Sequence, residues 1–253
     1  MKPKLVVYGD VSLDGKLTMA PDVLLFFGDE RWNALSKPGG SYEWVLSTHN
    51  PQAILEGSNS FVPSPYPAEP FPPATGDTGA LYQDFLPESV VQNPANKLWF
   101  TVVDSRGRVH WVYTGEPGKE APGSPGQHLL LLVARSTPAE YLVFLQSENV
   151  PYLVAGEEGV DLRLALEKMA AQLGVRCVLC TSPGKLGGAL LRAGLVDEVN
   201  VDFFPAIIGG EDTPALFDTP ALKPDEWPAR LKLLSAQVLA SGRVWLRYGV
   251  IRE

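Results

Sequence analysis

The chain has 253 residues, 45% of them hydrophobic and 20% charged, enough to bury a sizeable core. Twenty-one basic against 29 acidic residues leave a net charge of −8, which excludes the basic footprint that a nucleic-acid binder needs. Its 24 glycines and 23 prolines follow no fixed period, so collagen-like and solenoid architectures fall away.

The opening Met-Lys-Pro-Lys runs directly into Leu5 to Gly9, a short Val-rich strand pattern. No signal-peptide pattern precedes it, and the longest aliphatic run, Leu129 to Ala134, is too short to span a bilayer. The expectation is a soluble cytoplasmic protein of one domain, 1–253, that holds neither nucleic acid nor membrane. Ala53 to Glu56 is a second strand, closed by Gly57. Residues 62 to 79 carry six prolines and exclude regular structure. Leu98 to Val103 and Val109 to Tyr113 flank the turn sequence Asp104-Ser-Arg-Gly-Arg108, a hairpin pattern. A second proline- and glycine-rich loop fills Gly115 to Gln127. Leu129 to Ala134 reads as a strand buried on both faces. Thr137-Pro-Ala-Glu140 predicts an N-cap, a first-turn Pro and a capping-box Glu for a helix to about Glu148. Tyr152 to Ala155 is a strand.

Asp161 caps a helix whose Leu162, Ala165, Leu166, Met169 and Leu173 share one face, and Gly174 ends it. Val175 to Cys180 is a strand, so Cys177 and Cys180 point to opposite faces and share neither a disulfide nor a metal. A helix from Lys185 to Ala193 closes at Gly194. Val199 to Phe204 is a strand, and Leu231 to Leu239 with Val244 to Val250 form a terminal antiparallel hairpin. Strand-helix-strand units require an α/β fold with a partly parallel sheet and helices on its faces; the terminal hairpin makes the sheet mixed. The three histidines have no metal-ligand spacing, and no nucleophile elbow, HExxH or complete phosphate loop occurs.

Gly187-Gly-Ala-Leu-Leu-Arg-Ala-Gly-Leu-Val-Asp-Glu198, followed by Val201-Asp-Phe-Phe-Pro-Ala-Ile-Ile-Gly-Gly210, closely resembles the C-terminal reductase domain of the bacterial riboflavin-biosynthesis protein RibD. Ser12-Leu-Asp-Gly15, Ala53-Ile-Leu-Glu-Gly57, Val102-Val-Asp-Ser105 and Gly242-Arg-Val-Trp-Leu-Arg-Tyr248 match other family segments in order. The resemblance implies a dihydrofolate-reductase-like three-layer fold, NADPH as cofactor, a small-molecule pyrimidine substrate and a homodimer. It places the cofactor on Val11, Gly57, Ser60, Ser105, Ser182, Pro183, Gly184, Lys185, Leu186 and Gly187. Ser12 and Thr181 fall to the substrate, and Asp14 is the catalytic candidate, with Glu56 or a water as other proton sources.

The junction Thr181-Ser-Pro-Gly-Lys185 joins a strand end to a helix start, where free N–H groups, the helix dipole and Lys185 favour a pyrophosphate. Arg106, Arg108 and the Arg135-Ser-Thr137 segment are candidates for the adenosine end, because NADP recognition needs cations near the 2′-phosphate. Phe26, Phe27 and Trp32 are candidates for a dry face. Several positions depart from the family. Ser182 and Pro183 stand where two glycines are usual, Thr181 replaces an acidic residue, and Val62-Pro-Ser-Pro-Tyr66 lacks the family's aspartates. Arg31 is the only arginine in the stretch expected to grip a substrate phosphate. The chain therefore reads as an NADPH-dependent reductase of a small heteroaromatic or carbonyl compound. The riboflavin-pathway reductase itself is one alternative, and a catalytically lapsed nucleotide-binding or dimerisation module is another.

Overall fold

The computed structural model describes residues 1–23, 29–35, 40–62, 70–121 and 124–252. Phe26, Phe27 and the Pro63 to Tyr66 segment lie outside the described residues. Among the described residues nine strands form a mixed, mostly parallel sheet, and the chain divides into two compact units. One comprises residues 1–3 and 51–178, the other residues 4–50 and 179–253.

In the first unit, β2 (Ala53–Gly57), β3 (Leu98–Val103), β4 (Gln127–Val133) and β5 (Tyr152–Val154) lie side by side and parallel. The expected hairpin from Val109 to Tyr113 does not form. Both edges of β3 are taken, by β2 on one side and β4 on the other, so no edge is left for a returning strand. The 105–113 segment instead packs down: Trp111 donates to the Tyr141 hydroxyl at 2.8 Å and meets Phe61 edge to face. Phe71, from the described part of the proline-rich loop, stacks on His110 at 4.0 Å and lies against Tyr141 and Phe144. These loops thus roof a core built from Leu129, Leu131, Val133, Tyr141, Leu142 and Tyr152.

Helix α4 (Ala139–Ser147) begins at Pro138 without a side-chain cap. Thr137 does not cap it, because its hydroxyl accepts the Ala134 N–H at 3.0 Å and donates to the Ser105 carbonyl at 2.9 Å. Helix α5 (Leu162–Leu173) follows its pattern. Asp161 accepts the N–H groups of Arg163 and Leu164, Ala165, Leu166 and Met169 are buried, and Gly174 closes the helix at φ 67°. Helix α3 is a single turn, Glu88–Val91.

In the second unit, β1 (Lys4–Ser12) runs parallel to β7 (Glu198–Phe204), which pairs antiparallel with β9 (Val244–Val250), itself antiparallel to β8 (Leu231–Val238). The terminal hairpin is as read, with β8 at the outer edge. Strand β6 (Cys177–Cys180) carries the chain into this unit, and both of its cysteines are buried thiols without a disulfide. Helices α1 (Glu30–Leu35), α2 (Ser41–His49) and α6 (Lys185–Arg192) complete it. Alternation along β1 sorts them. Gly9 abuts Pro183 at the start of α6, while Tyr8 and Asp10, on the other face, meet Ser41 and its partners.

Gly9 is required at its position. A Cβ there would sit 2.8 Å from the Pro183 ring, closer than packed carbons approach. Among the described residues, no helix is long and apolar enough to cross a membrane, and no cluster of His, Cys, Asp or Glu fits a metal ion.

Candidate active site

Each unit holds one group of the residues singled out in the sequence. In the second unit, the Ser-x-Asp-Gly loop is laced to residues 206–216. Ser12, fully buried, closes the turn by accepting the Lys16 N–H at 2.9 Å and donating to Asp14 at 2.6 Å. The Leu13 N–H reaches the Ala206 carbonyl at 2.8 Å, the Leu17 N–H the Pro214 carbonyl at 2.8 Å, and the Leu216 N–H the Gly15 carbonyl at 2.9 Å.

Asp14 is the rivet of this lacing. It lies exposed at the turn, and its two oxygens accept the N–H groups of Ile208 at 3.1 Å and Gly209 at 2.7 Å. The Ser12 hydroxyl, joined by those two N–H groups, lowers its carboxyl to about 2. A carboxylate so placed is ionised at neutral pH and has no proton to give. These bonds tie the Ser12 to Gly15 turn to residues 208 and 209.

The β6–α6 junction sits against this lacing. Ser182 and Pro183 are buried, Thr181, Gly184 and Leu186 half-buried, and Lys185 exposed. Helix α6 starts at Gly184 with no side-chain cap, which keeps its first turn open to an anion. The Pro183 carbonyl accepts the Phe217 N–H at 3.0 Å, and the Ser182 carbonyl accepts that of Gly187 at 3.1 Å. The glycine pair inside α6 serves packing. A Cβ on Gly188 would come within 2.8 Å of the Asp218 carbonyl oxygen, and one on Gly187 would meet the Phe217 ring at 3.5 Å. Val11 is fully buried within β1, beside Phe203. Trp32 meets Phe204 edge to face at 5.0 Å, so the aromatic contact expected of it is with the strand face of the same unit. Arg31, exposed, pairs with Asp29 two residues back, a local ion pair at the start of α1.

In the first unit, Gly57 ends β2 opposite Val103, and a 3-10 turn, Ser58–Ser60, follows with Ser58 and Ser60 buried. Asn59, between them, is the hub. Its Oδ1 accepts from both Arg106 and Arg108, each at 2.6 Å, and Arg108 also reaches the Ser58 hydroxyl at 3.3 Å. Asp104 shapes the turn that carries them, its carboxylate accepting the N–H groups of Arg108 at 3.0 Å and Val109 at 3.4 Å. Two guanidiniums share one amide oxygen here, and burial together with the Arg106 charge lowers the affinity of Arg108 for its proton, against the opposing pull of the Asp104 carboxylate. The Arg108 Nε is buried, with no acceptor among the described residues. Each guanidinium carries five donors, more than Asn59 and Ser58 accept. Ser105 is half-buried beside it. At the other candidate, Arg135 to Thr137, Arg135 forms an exposed pair with Glu157 at 3.3 Å, and the Thr137 hydroxyl is doubly bonded.

One constellation escaped the sequence reading. In the second unit, Arg243 is 2% exposed and Asp202 fully buried, bound to each other at 2.6 and 3.1 Å. Arg243 also reaches Asp10 at 3.0 Å; the Tyr8 hydroxyl donates to the same Asp10 oxygen at 2.9 Å, and Ser41 donates to Asp202 at 2.6 Å. Burial pushes the Asp10 carboxyl up to about 6, against the opposing pull of Tyr8 and Arg243. Burial and the Asp10 charge likewise hold the Tyr8 hydroxyl protonated. The available signal was Asn200 and Asp202, polar residues two apart in an otherwise apolar strand, both turned to one face.

A profile of the RibD C-terminal domain family matches residues 3–245. A protein from Methanothermobacter thermautotrophicus, the 2,5-diamino-6-ribosylamino-4(3H)-pyrimidinone 5′-phosphate reductase, is 33% identical over 220 residues, spanning 86% of this chain and 85% of its own. The fold is shared with a pyrimidine reductase-like protein of Corynebacterium diphtheriae, at 16% identity and a TM-score of 0.63 over 99% of this chain and 93% of the other. It is shared too with the riboflavin biosynthesis reductase Rib7 of Saccharomyces cerevisiae, at 13% identity and a TM-score of 0.58 over 99% and 90%. With a match that runs from the first strand to the last, the chain belongs to the RibD C-terminal domain family and is an oxidoreductase of that family.

Proposed function

We propose that the protein is an NADPH-dependent reductase of a ribosylaminopyrimidine phosphate, the substrate class named for its archaeal relative. The departures at Thr181 and at Val62 to Tyr66 had favoured a different heteroaromatic substrate. A relative one-third identical over most of both chains weighs more than those single positions, so the riboflavin-pathway alternative becomes the leading reading. A ribosylamine is in equilibrium with its open-chain imine, and that C=N bond is what a reductase of this substrate reduces.

The observation that carries the cofactor choice is the pair of guanidiniums on Asn59. NADPH differs from NADH by the 2′-phosphate, and a dianion placed on Arg106 and Arg108 gives both cations, and the orphan Arg108 Nε, the acceptor that the protein withholds. In the other unit, the uncapped start of α6 and exposed Lys185 favour a pyrophosphate. Bound NADPH would supply the hydride. The chain's own residues bind and orient, and Ser12 and Asp14 keep the loop beside the junction in one conformation. A cytoplasmic location goes with this reading.

Fluorescence titration with both nucleotides tests it. The wild type binds NADPH in the micromolar range and NADH at least tenfold more weakly. The R106A/R108A double variant raises the NADPH Kd by about 100-fold, or roughly 2.7 kcal/mol, and leaves NADH nearly untouched. An equal loss for both nucleotides, or none, overturns the assignment.

The exposed edge also has an assigned occupant. Strand β8 ends the sheet with Leu231, Leu233, Leu234 and Val238 exposed, the last at 81%, beside Trp227 at 87%. An unpaired antiparallel edge is complementary to a second copy of itself about a two-fold axis. We assign it to a homodimer; sedimentation of a monomer at micromolar concentration would sink that assignment.

A further inference from the structure

Helix α2 ends on His49, whose ring is held from both sides. The side chain is 7% exposed, and its Nε2 lies 3.2 Å from Glu198 Oε1 at the start of β7. Its Nδ1 lies 3.2 Å from the ammonium of Lys4, the first residue of β1. An ammonium donates and cannot accept, so Nδ1 carries a lone pair and Nε2 carries the hydrogen. These partners therefore fit one state of the ring, the neutral Nε2–H form. A second N–H, on Nδ1, would point at the Lys4 ammonium and find nothing there to accept it.

The surrounding charges act in the same sense. Glu198 already accepts from Lys4 at 3.1 Å, from Arg247 at 3.0 Å and from the Asn200 amide at 3.3 Å. The charged groups facing the ring are Lys4 from β1, Glu198 from β7 and Arg247 from β9. On α2 itself, Trp44 meets the ring edge to face at 6.0 Å, with the Arg247 guanidinium 4.0 Å over the indole. A charged His49 would be a third cation around one carboxylate. Burial, reinforced by Lys4 and Arg247, lowers the affinity of the ring for a proton, against the pull of Glu198. Little else fastens this end of the helix. Ser47 and Thr48 are exposed, and the Ser47 hydroxyl donates to the Trp44 carbonyl of its own helix. The other end is pinned separately, by Ser41 on Asp202.

We propose that His49 is an acid-released latch: the neutral ring ties the end of α2 to β1 and β7, and an added proton drives Lys4 off and frees that turn. The proton comes from solvent and returns to it. The latch lies at the amino ends of β1 and β7, so it governs the order of the helix and is independent of the reductase reading. Because the folded ring holds its proton more weakly than the unfolded one, the stabilisation is complete above about pH 6.5. It is lost as the pH falls below that value toward the lowered one of the folded ring.

The test is an NMR pH titration of the full chain as wild type, K4M and H49Q. At neutral pH the wild-type ring should carry its hydrogen on Nε2, and its midpoint should lie below 6.5 and rise in K4M. Amide exchange at Val45 to Asn50, corrected for its intrinsic pH dependence, should quicken about tenfold in the wild type between pH 7 and 5. In H49Q, whose side chain does not titrate, it should change by less than about twofold. Asp10, which gains a proton in the same range, is present in both proteins, so the difference isolates the ring. Hydrogen on Nδ1 at neutral pH, a midpoint at or above 6.5, or equal quickening in H49Q overturns the latch. Should H49Q fail to fold, the K4M midpoint decides: a rise supports the latch, and an unchanged or lower value overturns it.

Discussion

Asp10 and Asp14 stand four residues apart at the end of one strand, and the protein treats them in opposite ways. Asp14 is exposed and surrounded by donors, the Ser12 hydroxyl and two backbone N–H groups, and its carboxyl is lowered to about 2. Asp10 is mostly buried, beside the carboxylate of Asp202, and is raised to about 6. Donors stabilise the charged form, and loss of water penalises it. A single strand end thereby yields one permanent anion, used as a fastener, and one carboxyl that holds a proton near neutrality. Asp14, the catalytic candidate of the resemblance, is the one bonded to the Ile208 and Gly209 N–H groups.

The hardest blow to this contrast falls on Arg243. R243M leaves fully buried Asp202 with Ser41 as its remaining donor, and we expect a loss of about 3–5 kcal/mol in urea unfolding. It also removes the cation that holds Asp10 down, so in any folded fraction the Asp10 carboxyl titrates at higher pH. An Asp10 carboxyl ¹³C midpoint that stays near 6 in the variant would show that Arg243 does not hold it down.

A smaller effect is expected at Asp14. D14N should keep kcat within threefold and lower the Tm at neutral pH, because an amide N–H₂ cannot accept from the Gly209 N–H. The sign with pH is fixed by the lowered carboxyl. Its stabilisation is present above the unfolded value of about 4 and lost as pH falls through about 2, so the Tm gap between variant and wild type closes over that interval. A hundredfold loss of rate at unchanged Tm would show that Asp14 serves the chemistry and not the loop.

Much of the fold was legible because its strands are short apolar runs and its helices carry their own signals. Asp161 before α5 and Gly174 after it act as local chemistry says they should. Where the reading failed, tertiary pairing had overruled a local pattern. Val109 to Tyr113 looks like the return strand of a hairpin, yet β3 has no open edge. Thr137 looks like a cap, yet its hydroxyl joins Ala134 to Ser105. The site divides in the same manner. The backbone-built parts, the Ser12 to Gly15 turn and the β6–α6 junction, follow from strand ends and glycines. The Asn59 hub and the Asp10–Arg243 network depend on residues 47 to 233 positions apart, and no spacing rule reaches that far.

Helix α6 holds one last consequence. Two adjacent glycines in an eight-residue helix cost about 2 kcal/mol of intrinsic propensity, and a helix so short does not persist alone in water. The gap they leave is filled by Phe217, Asp218 and Thr219, which arrive some thirty residues later in the chain. The helix start proposed to hold the nucleotide is therefore ordered only once that later segment has docked. During refolding, the ability to bind nucleotide should be among the last properties to return, after the secondary structure of the sheet is already in place.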